Sequence, residues 1–385
     1  MIPKADRLKQ VKEYYFSKKL REIAGLIATG KPIINIAIGS PDLQPPLEVV
    51  AALKNAMQID GVHKYQSYQG IPEFRLGIAD FYKTNYNVKL NPNTEILPLM
   101  GSKEGIMHIS MAFLNKGDKV LIPNPGYPTY ASVTKLVEAA PVYYNLSEHN
   151  NWLPNFSEIE KEDLSKVKIM WVNYPHMPTG ATASKLAFEQ LIAFAKKHHI
   201  LVVNDNPYSF ILNENPQSIL QVDGAKEVAI ELNSLSKTFN MAGWRVGMVV
   251  GTSEIIKTIL QVKSNMDSGM FLGIQKGAIE ALKLPANWFE EQNSIYRKRR
   301  ELVWKIFDAL GCTYAKNIGG LFVWAKLPNG EKAESFTDKL LYEKEVFITP
   351  GTVFGTNGEG YIRASLCVNS AVLKEVLTRL TTKNN

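Results

Sequence analysis

Ser234-Leu235-Ser236-Lys237-Thr238-Phe239 sets a lysine between two hydroxyl side chains, and Gly243-Trp244-Arg245-Val246-Gly247 follows closely. A lysine amine condenses with a carbonyl to an imine, and an arginine fork grips a phosphate through paired hydrogen bonds. A ligand that is both an aldehyde and a phosphate ester would use the two together. Lys237 is then a covalent anchor and proton carrier rather than a surface charge. Ser-x-Ser-Lys alone is a weak pattern, and a surface turn is the plain alternative. The setting favours chemistry, because the stretch follows the apolar run Val228-Ala229-Ile230-Glu231-Leu232, and strand ends are where such folds place reactive groups.

Other residues fit the same ligand. Asp205, in Asn204-Asp205-Asn206-Pro207-Tyr208, follows the apolar run Ile200 to Val203. A carboxylate there can pair with a protonated ring nitrogen and strengthen an aromatic ring as an electron sink; an aspartate at a turn is the bland reading. Tyr208 can donate to a phenolic oxygen. Gly101-Ser102-Lys103-Glu104-Gly105 opens a helical run, whose free N–H groups suit an anion, although Ser102 as an ordinary N-cap needs no ligand. Tyr127, in Asn124-Pro125-Gly126-Tyr127-Pro128, can lie flat on a ring or simply pack in a proline-rich turn. Arg363 interrupts the apolar pattern Tyr361-Ile362-Arg363-Ala364-Ser365, and an arginine so placed calls for a carboxylate, from a substrate or from an internal acid. The glycines from Gly351 to Gly360 do not sit between a strand and a helix, which excludes a dinucleotide fingerprint.

Positioning these groups requires an α/β fold. Lys119 to Pro123, Lys168 to Val172, Ile200 to Val203, Val228 to Leu232 and Val246 to Val250 read as buried strands, with helical patterns over Ser102 to Leu114 and Ser184 to His198. Short apolar strands alternating with helices imply a mostly parallel central sheet with helices on both faces. After a long helix over about Asn287 to Leu310, strands around Leu321 to Ala325, Val346 to Ile348 and Tyr361 to Cys367 imply a smaller α+β domain. The expected division is an N-terminal segment, 1–48, that joins the small domain through the turn Gly39-Ser40-Pro41-Asp42; a large domain, 49–284; and a small C-terminal domain, 285–385.

Bulk composition narrows the class. Of 385 residues, 45% are hydrophobic and 21% charged, which suits a two-domain globular protein and argues against disorder. The net charge of +7 is spread along the chain. The run Arg297-Lys298-Arg299-Arg300 reads as a solvated helix face, not a nucleic-acid patch, because no interleaved aromatics offer stacking. Cys312 and Cys367 are far apart, so neither a disulfide framework nor a thiolate metal site is expected. His198 and His199 are adjacent at a helix end, which is poor geometry for shared ligation; no metal site is expected. No secretory leader or membrane span is legible. The expectation is a soluble protein of a reducing compartment, the cytoplasm.

Taken together, the segments resemble the class I/II aminotransferases of the pyridoxal-phosphate fold-type I (aspartate-aminotransferase-like) superfamily. The pieces occur in family order along nearly the whole chain: Ile38 to Asp42, Tyr65 through Gly70 to Arg75, Gly101 to Gly105, Tyr127-Pro128, Asn173 to Gly180, Asp205 to Tyr208, Ser234 to Gly247, and Pro350 to Arg363. The resemblance implies pyridoxal 5'-phosphate as cofactor, Lys237 as Schiff-base lysine, Asp205 as partner of the ring nitrogen and Tyr208 as donor to the ring oxygen. It implies Ser234, Ser236, Arg245 and the backbone of Ser102 and Lys103 on the phosphate, Tyr127 against the ring, and Asn173 in the cofactor site. Arg363 and the backbone at Gly39 would hold the substrate's α-carboxylate. Tyr65 would reach the phosphate of a neighbouring subunit, in a homodimer with shared active sites. The implied reaction moves an amino group from an L-amino acid to a 2-oxo acid. The chain departs from the family's Asn-Pro-Thr-Gly at Met177-Pro178-Thr179-Gly180, and methionine has no N–H to give. Two other readings use the same cofactor: β-elimination from sulfur amino acids, and a sensing regulator. The second is the less expected, since no length before Pro32 is available for a DNA-binding domain.

Overall fold

The apolar runs become neighbouring strands. The computed structural model describes residues 2–382; Met1 and residues 383–385, at the outer ends of the expected N- and C-terminal segments, lie outside them. Thirteen strands are assigned among the described residues: β1 (Ile34–Asn35), β2 (Ile96–Leu99), β3 (Lys119–Asn124), β4 (Ala140–Asn145), β5 (Val167–Val172), β6 (Leu201–Asp205), β7 (Ala229–Ser234), β8 (Gly247–Val250), β9 (Thr313–Tyr314), β10 (Phe322–Lys326), β11 (Val346–Phe347), β12 (Thr349–Pro350) and β13 (Tyr361–Ser365). The central sheet has the order β2-β8-β7-β6-β5-β3-β4. Strand β8 alone runs against its neighbours, so the sheet is mostly parallel, as expected.

Successive side chains on a strand point to opposite faces, and here each face has its own core. On β5, Met170 and Val172 pack with the helices Pro72–Tyr86 and Lys185–His198, while Ile169 and Trp171 pack with Ser102–Phe113 and Ser253–Lys263. The neighbouring Val202 and Val203 of β6 divide in the same way. Both faces are therefore covered by helices. This double coverage explains the nearly continuous apolar runs, since no face is left for solvent.

The C-terminal part is built differently. An antiparallel sheet, β12-β13-β10-β9, places Arg363 opposite Trp324. The N-terminal strand β1 pairs in parallel with β11, and the Ser365 N–H donates to the Ile36 carbonyl. The helix Ala286–Ala309 turns Tyr296, Arg299, Val303, Ile306 and Phe307 inward. Arg299 thus corrects the reading of the basic run as a solvated face. It is 3% exposed and forks onto both carboxylate oxygens of Asp42 at 2.6 and 2.9 Å. One residue in a run of four must face the core when a helix advances about 100° per residue. Arg300 lies over the Trp304 ring and donates to the Ile318 carbonyl, and Arg297 pairs with Glu290. His199 ends its helix in the left-handed region and His198 meets Glu160 at 2.9 Å, consistent with a helix-terminal role.

Candidate active site

A cavity of about 680 Å³ opens at the carboxyl ends of β6 and β7, roofed by residues from the N-terminal and C-terminal parts. Its lining includes Gly39, Ser102, Lys103, Tyr127, Asn173, Asp205, Tyr208, Ser234, Ser236, Lys237, Arg245 and Arg363. The structure therefore brings together every site residue expected from the sequence except Tyr65, which stands apart on the surface, 90% exposed.

Lys237 sits on a single helical turn, Leu235–Thr238, directly after β7. Its Nζ donates to the Gly39 carbonyl. No carboxylate neutralises it among the described residues, and burial, aided by the nearby Arg363 and Arg245, holds its pKa below the ordinary lysine value. A desolvated amine of this kind spends more time neutral, the form that attacks a carbonyl.

Asp205 ends β6 and is 5% exposed. One oxygen, Oδ2, accepts from the Tyr130 hydroxyl at 2.8 Å; the other, Oδ1, is buried with no partner. Burial pushes the carboxyl up to about 6, against the pull of the Tyr130 hydrogen bond. An orphaned carboxylate oxygen in such a place calls for a donor, and a protonated pyridine nitrogen is one. Tyr130 was not legible as a site residue. It lies in the helix Pro128–Leu136 and stacks flat on Trp171, with centroids 4.9 Å apart, so its spacing reads as core packing and only the three-dimensional meeting with Asp205 shows its use.

The phosphate end is a cradle of short donors. Ser234 Oγ donates to Ser236 Oγ at 2.8 Å, and Arg245 Nη1 lies 3.4 Å from Ser236 Oγ. The helix Ser102–Phe113 begins here, and no side chain caps it. The N-cap is Gly101 rather than Ser102, a correction with a geometric reason: Gly101 has φ of +93°, and a Cβ on it would stand 2.0 Å from Arg245 Nη2. The positive φ is what favours glycine here, while the arginine tip could shift aside from a Cβ only by leaving its present place. The uncapped N–H groups and the helix dipole favour an anion there. Lys103 is exposed, its Nζ 5.1 Å from the Tyr14 ring centroid, and partial desolvation of the ammonium lowers its pKa.

Arg363 is 4% exposed and has no carboxylate partner among the described residues. Its guanidinium lies 3.8 Å from the Phe322 ring centroid and 4.5 Å from that of Phe354. Nη2 donates to the Ala37 carbonyl at 2.9 Å, Nη1 to the Met177 sulfur at 3.2 Å, and the buried Nε has no partner. Burial brings its pKa down to about 10. An unneutralised buried guanidinium between aromatic faces is a receptor for a carboxylate. Tyr208 packs edge-to-face with Phe322, its hydroxyl makes no hydrogen bond among the described residues, and burial raises its pKa. Asn173 is committed to backbone: Nδ2 donates to the Asp205 carbonyl and Oδ1 accepts from Met177 N–H at 2.7 Å. Tyr127 caps the helix Pro128–Leu136 and meets Tyr130 edge-on, centroids 5.5 Å apart. Tyr14 and Phe16, at the start of the helix Tyr15–Ala28, close the cavity from the N-terminal side; their place over the site left no mark in their sequence neighbourhood.

Away from the cavity, Glu104, His108 and Asp267 bring ligand-type atoms within 4.8 Å of one another. His108 is already bound to Glu104 at 2.6 Å, and the Lys263 ammonium to Asp267 at 2.7 Å. No helix among the described residues is long and apolar enough to cross a membrane.

A lysine, a carboxylate with one free oxygen and an anion cradle at the carboxyl ends of a mostly parallel sheet define a pyridoxal-phosphate enzyme of fold type I. The chain belongs to the aminotransferase class I and II family, whose model matches residues 31–380. It is 42% identical to an LL-diaminopimelate aminotransferase of Dehalococcoides mccartyi, over 97% of each chain, and 40% identical to one of Aquifex aeolicus, over 99% of each. Among solved structures, it superposes on substrate-bound BacF of Bacillus subtilis with a TM-score of 0.95 at 35% identity, covering 98% of this chain and 97% of that one. A Thermus thermophilus aspartate aminotransferase mutant gives 0.91 at 26% identity, covering 98% and 99%. The protein is a pyridoxal-phosphate-dependent aminotransferase, acting on amino acids and 2-oxo acids. The relatives lend no support to the lyase reading.

Proposed function

We propose that Lys237 would be the residue that anchors the cofactor's aldehyde and that its amine would carry the proton from the substrate's α-carbon. Asp205 would pair with the ring nitrogen through Oδ1, and Tyr208 would donate to the ring oxygen. Tyr127 and Asn173 would take the places beside the ring. Ser234, Ser236, Arg245 and the backbone of Ser102 and Lys103 hold the phosphate. Arg363, with the backbone at Gly39, fixes the substrate's α-carboxylate. When bound, the cofactor supplies an electron sink for the pair left as the α-proton departs. The residues do the rest. Arg363 orients the substrate so that its α-hydrogen faces Lys237 Nζ. Lowering of the Lys237 pKa by burial favours the neutral amine, the form that accepts that proton.

The observation that carries this reading is the buried, unpartnered Oδ1 of Asp205 in the same cavity as Lys237. Borohydride reduction of the holoenzyme, followed by peptide mapping, tests it. The cofactor should be fixed on Lys237, and Lys237→Ala should bind cofactor without fixation. Label on any other residue sinks the assignment.

The relatives' names make LL-diaminopimelate the first donor to assay. A second reading comes from the walls: Phe16, Leu20, Ile38, Phe322 and Phe354 line the cavity, and among the described residues its one acidic side chain is Asp205. That lining favours a donor with an apolar or aromatic side chain over one with a distal ammonium. Rapid mixing of single amino acids with the holoenzyme, without acceptor, separates the two through the change in cofactor absorbance.

The assembly we propose is a homodimer with shared sites, in which the exposed Tyr65 reaches the partner's phosphate. We also assign the enzyme to the cytoplasm, where its buried free thiols Cys312 and Cys367 stay reduced.

A further inference from the structure

Met177 stands where two recognition tasks meet. It is 7% exposed and lines the cavity beside Arg363 and Tyr208. Its thioether is the acceptor for Arg363 Nη1, a weak acceptor with nothing to donate. Among the described residues, Asn173 has the one amide side chain in the cavity lining. That amide is tied to the Asp205 carbonyl and the Met177 N–H, so it cannot swing to Arg363 without abandoning two buried hydrogen bonds. The serines of the lining that bond to one another or to Arg245, Ser234 and Ser236, lie at the phosphate end.

We infer that Met177 withholds a hydrogen-bond donor from both ends of the reacting centre, so that no side-chain amide assists Arg363 and the Gly39 backbone on the substrate's α-carboxylate and none assists Tyr208 on the cofactor's ring oxygen. Met177 is thus a positioning residue that sets the grip on substrate and the charge of the Lys237 imine. This rests on the proposed seating of the cofactor on Lys237 and Asp205. The imine proton is held by the negative ring oxygen. Each donor to that oxygen draws charge away from it, so one donor fewer keeps the imine protonated to higher pH. On the carboxylate side, an anion entering the site displaces a thioether rather than an amide, and Arg363 supplies the charge unaided.

The test uses the holoenzyme and three substitutions. M177L keeps the volume and removes the sulfur, M177N adds an amide, and M177Q replaces M177N if the latter does not fold. The imine pKa, read by absorbance titration, should fall by about one pH unit in the amide variant relative to wild type, the worth of one added hydrogen bond. M177L should titrate with wild type. The dissociation constant for glutarate, a carboxylate with neither amine nor oxo group, should tighten about fivefold in the amide variant. Equal imine pKa values in wild type and the amide variant overturn the inference, as does unchanged glutarate binding. So does an M177L that titrates like the amide variant, because leucine brings no donor. Absence of an imine band in wild type would instead overturn the cofactor assignment, so the two failures are distinguishable.

Discussion

Asp205→Asn should separate what the site costs the empty protein from what it contributes to the loaded one. The Asp205 carboxyl is buried, and its pKa lies at about 6 against an unperturbed 3.8. Between those values the folded protein binds a proton that the unfolded chain has lost, so stability falls as pH rises through the window. The gap is worth about 3 kcal/mol in full, and about 2 kcal/mol of it falls between pH 4.5 and 7.5. The asparagine variant has no such titration. Its carbonyl still accepts from the Tyr130 hydroxyl, and whatever its amide costs is the same at both pH values. Urea unfolding of the two apoenzymes at pH 4.5 and 7.5 therefore gives a difference of differences. The variant should gain about 2 kcal/mol on the wild type as pH rises. Its cofactor dissociation constant should weaken by about ten- to a hundredfold, since a charge-assisted hydrogen bond is lost. Stability curves that stay parallel between the two pH values would refute the argument that Asp205 lies charged and unpaired in the empty site.

Three further outcomes follow from the same geometry. Tyr130→Phe keeps the stacking on Trp171 but removes the donor to Asp205, so the carboxyl pKa rises further above about 6; cofactor affinity by equilibrium dialysis should drop about tenfold at neutral pH and recover partly at pH 9. Gly101→Ala puts a Cβ 2.0 Å from Arg245 Nη2 at a φ of +93°; it should cost about 1–3 kcal/mol of stability and weaken inorganic phosphate binding to the apoenzyme, measured by calorimetry. Arg299→Ala removes a guanidinium bound to Asp42 and to the Leu366 carbonyl; because Asp42 is partly exposed, thermal unfolding should report a loss of about 2–4 kcal/mol, below the full value for a buried pair.

The parts of the site that the sequence disclosed are those at ends of apolar runs. Asp205 and Ser234 close strands whose residues feed both cores, so the break in the apolar run is itself the signal. Lys237 and Arg245 follow on a turn with few conformational options. What stayed hidden depends on long-range placement. Tyr130 sits in a helix where a tyrosine packs as readily as it donates, and only β6 arriving beneath it makes it a partner of Asp205. Serine favours the N-cap position, which makes Ser102 the natural reading; the cap falls instead on Gly101, whose positive φ and closeness to Arg245, far along the chain, leave no mark in the local sequence. Arg299 shows the same limit. A run of four basic residues looks solvated until the helix phase turns one of them onto Asp42. The lone antiparallel strand β8 is as apolar as its parallel neighbours, so its composition carries no sign of its direction.

The stretch from Ile36 to Gly39 carries no reactive side chain, yet four carbonyl contacts join it to separate parts of the molecule. Ile36 accepts from Ser365, Ala37 from Arg363 and Thr349, and Gly39 from Lys237. Two of these donors are the buried cations of the reacting centre. The segment acts as a seam: cutting the chain there would not merely trim an end strand but leave an ammonium and a guanidinium buried with fewer acceptors. Because the acceptors are main-chain carbonyls, the seam depends on the path of the backbone rather than on side-chain identity, and a shift of that path would reach Lys237 and Arg363 together.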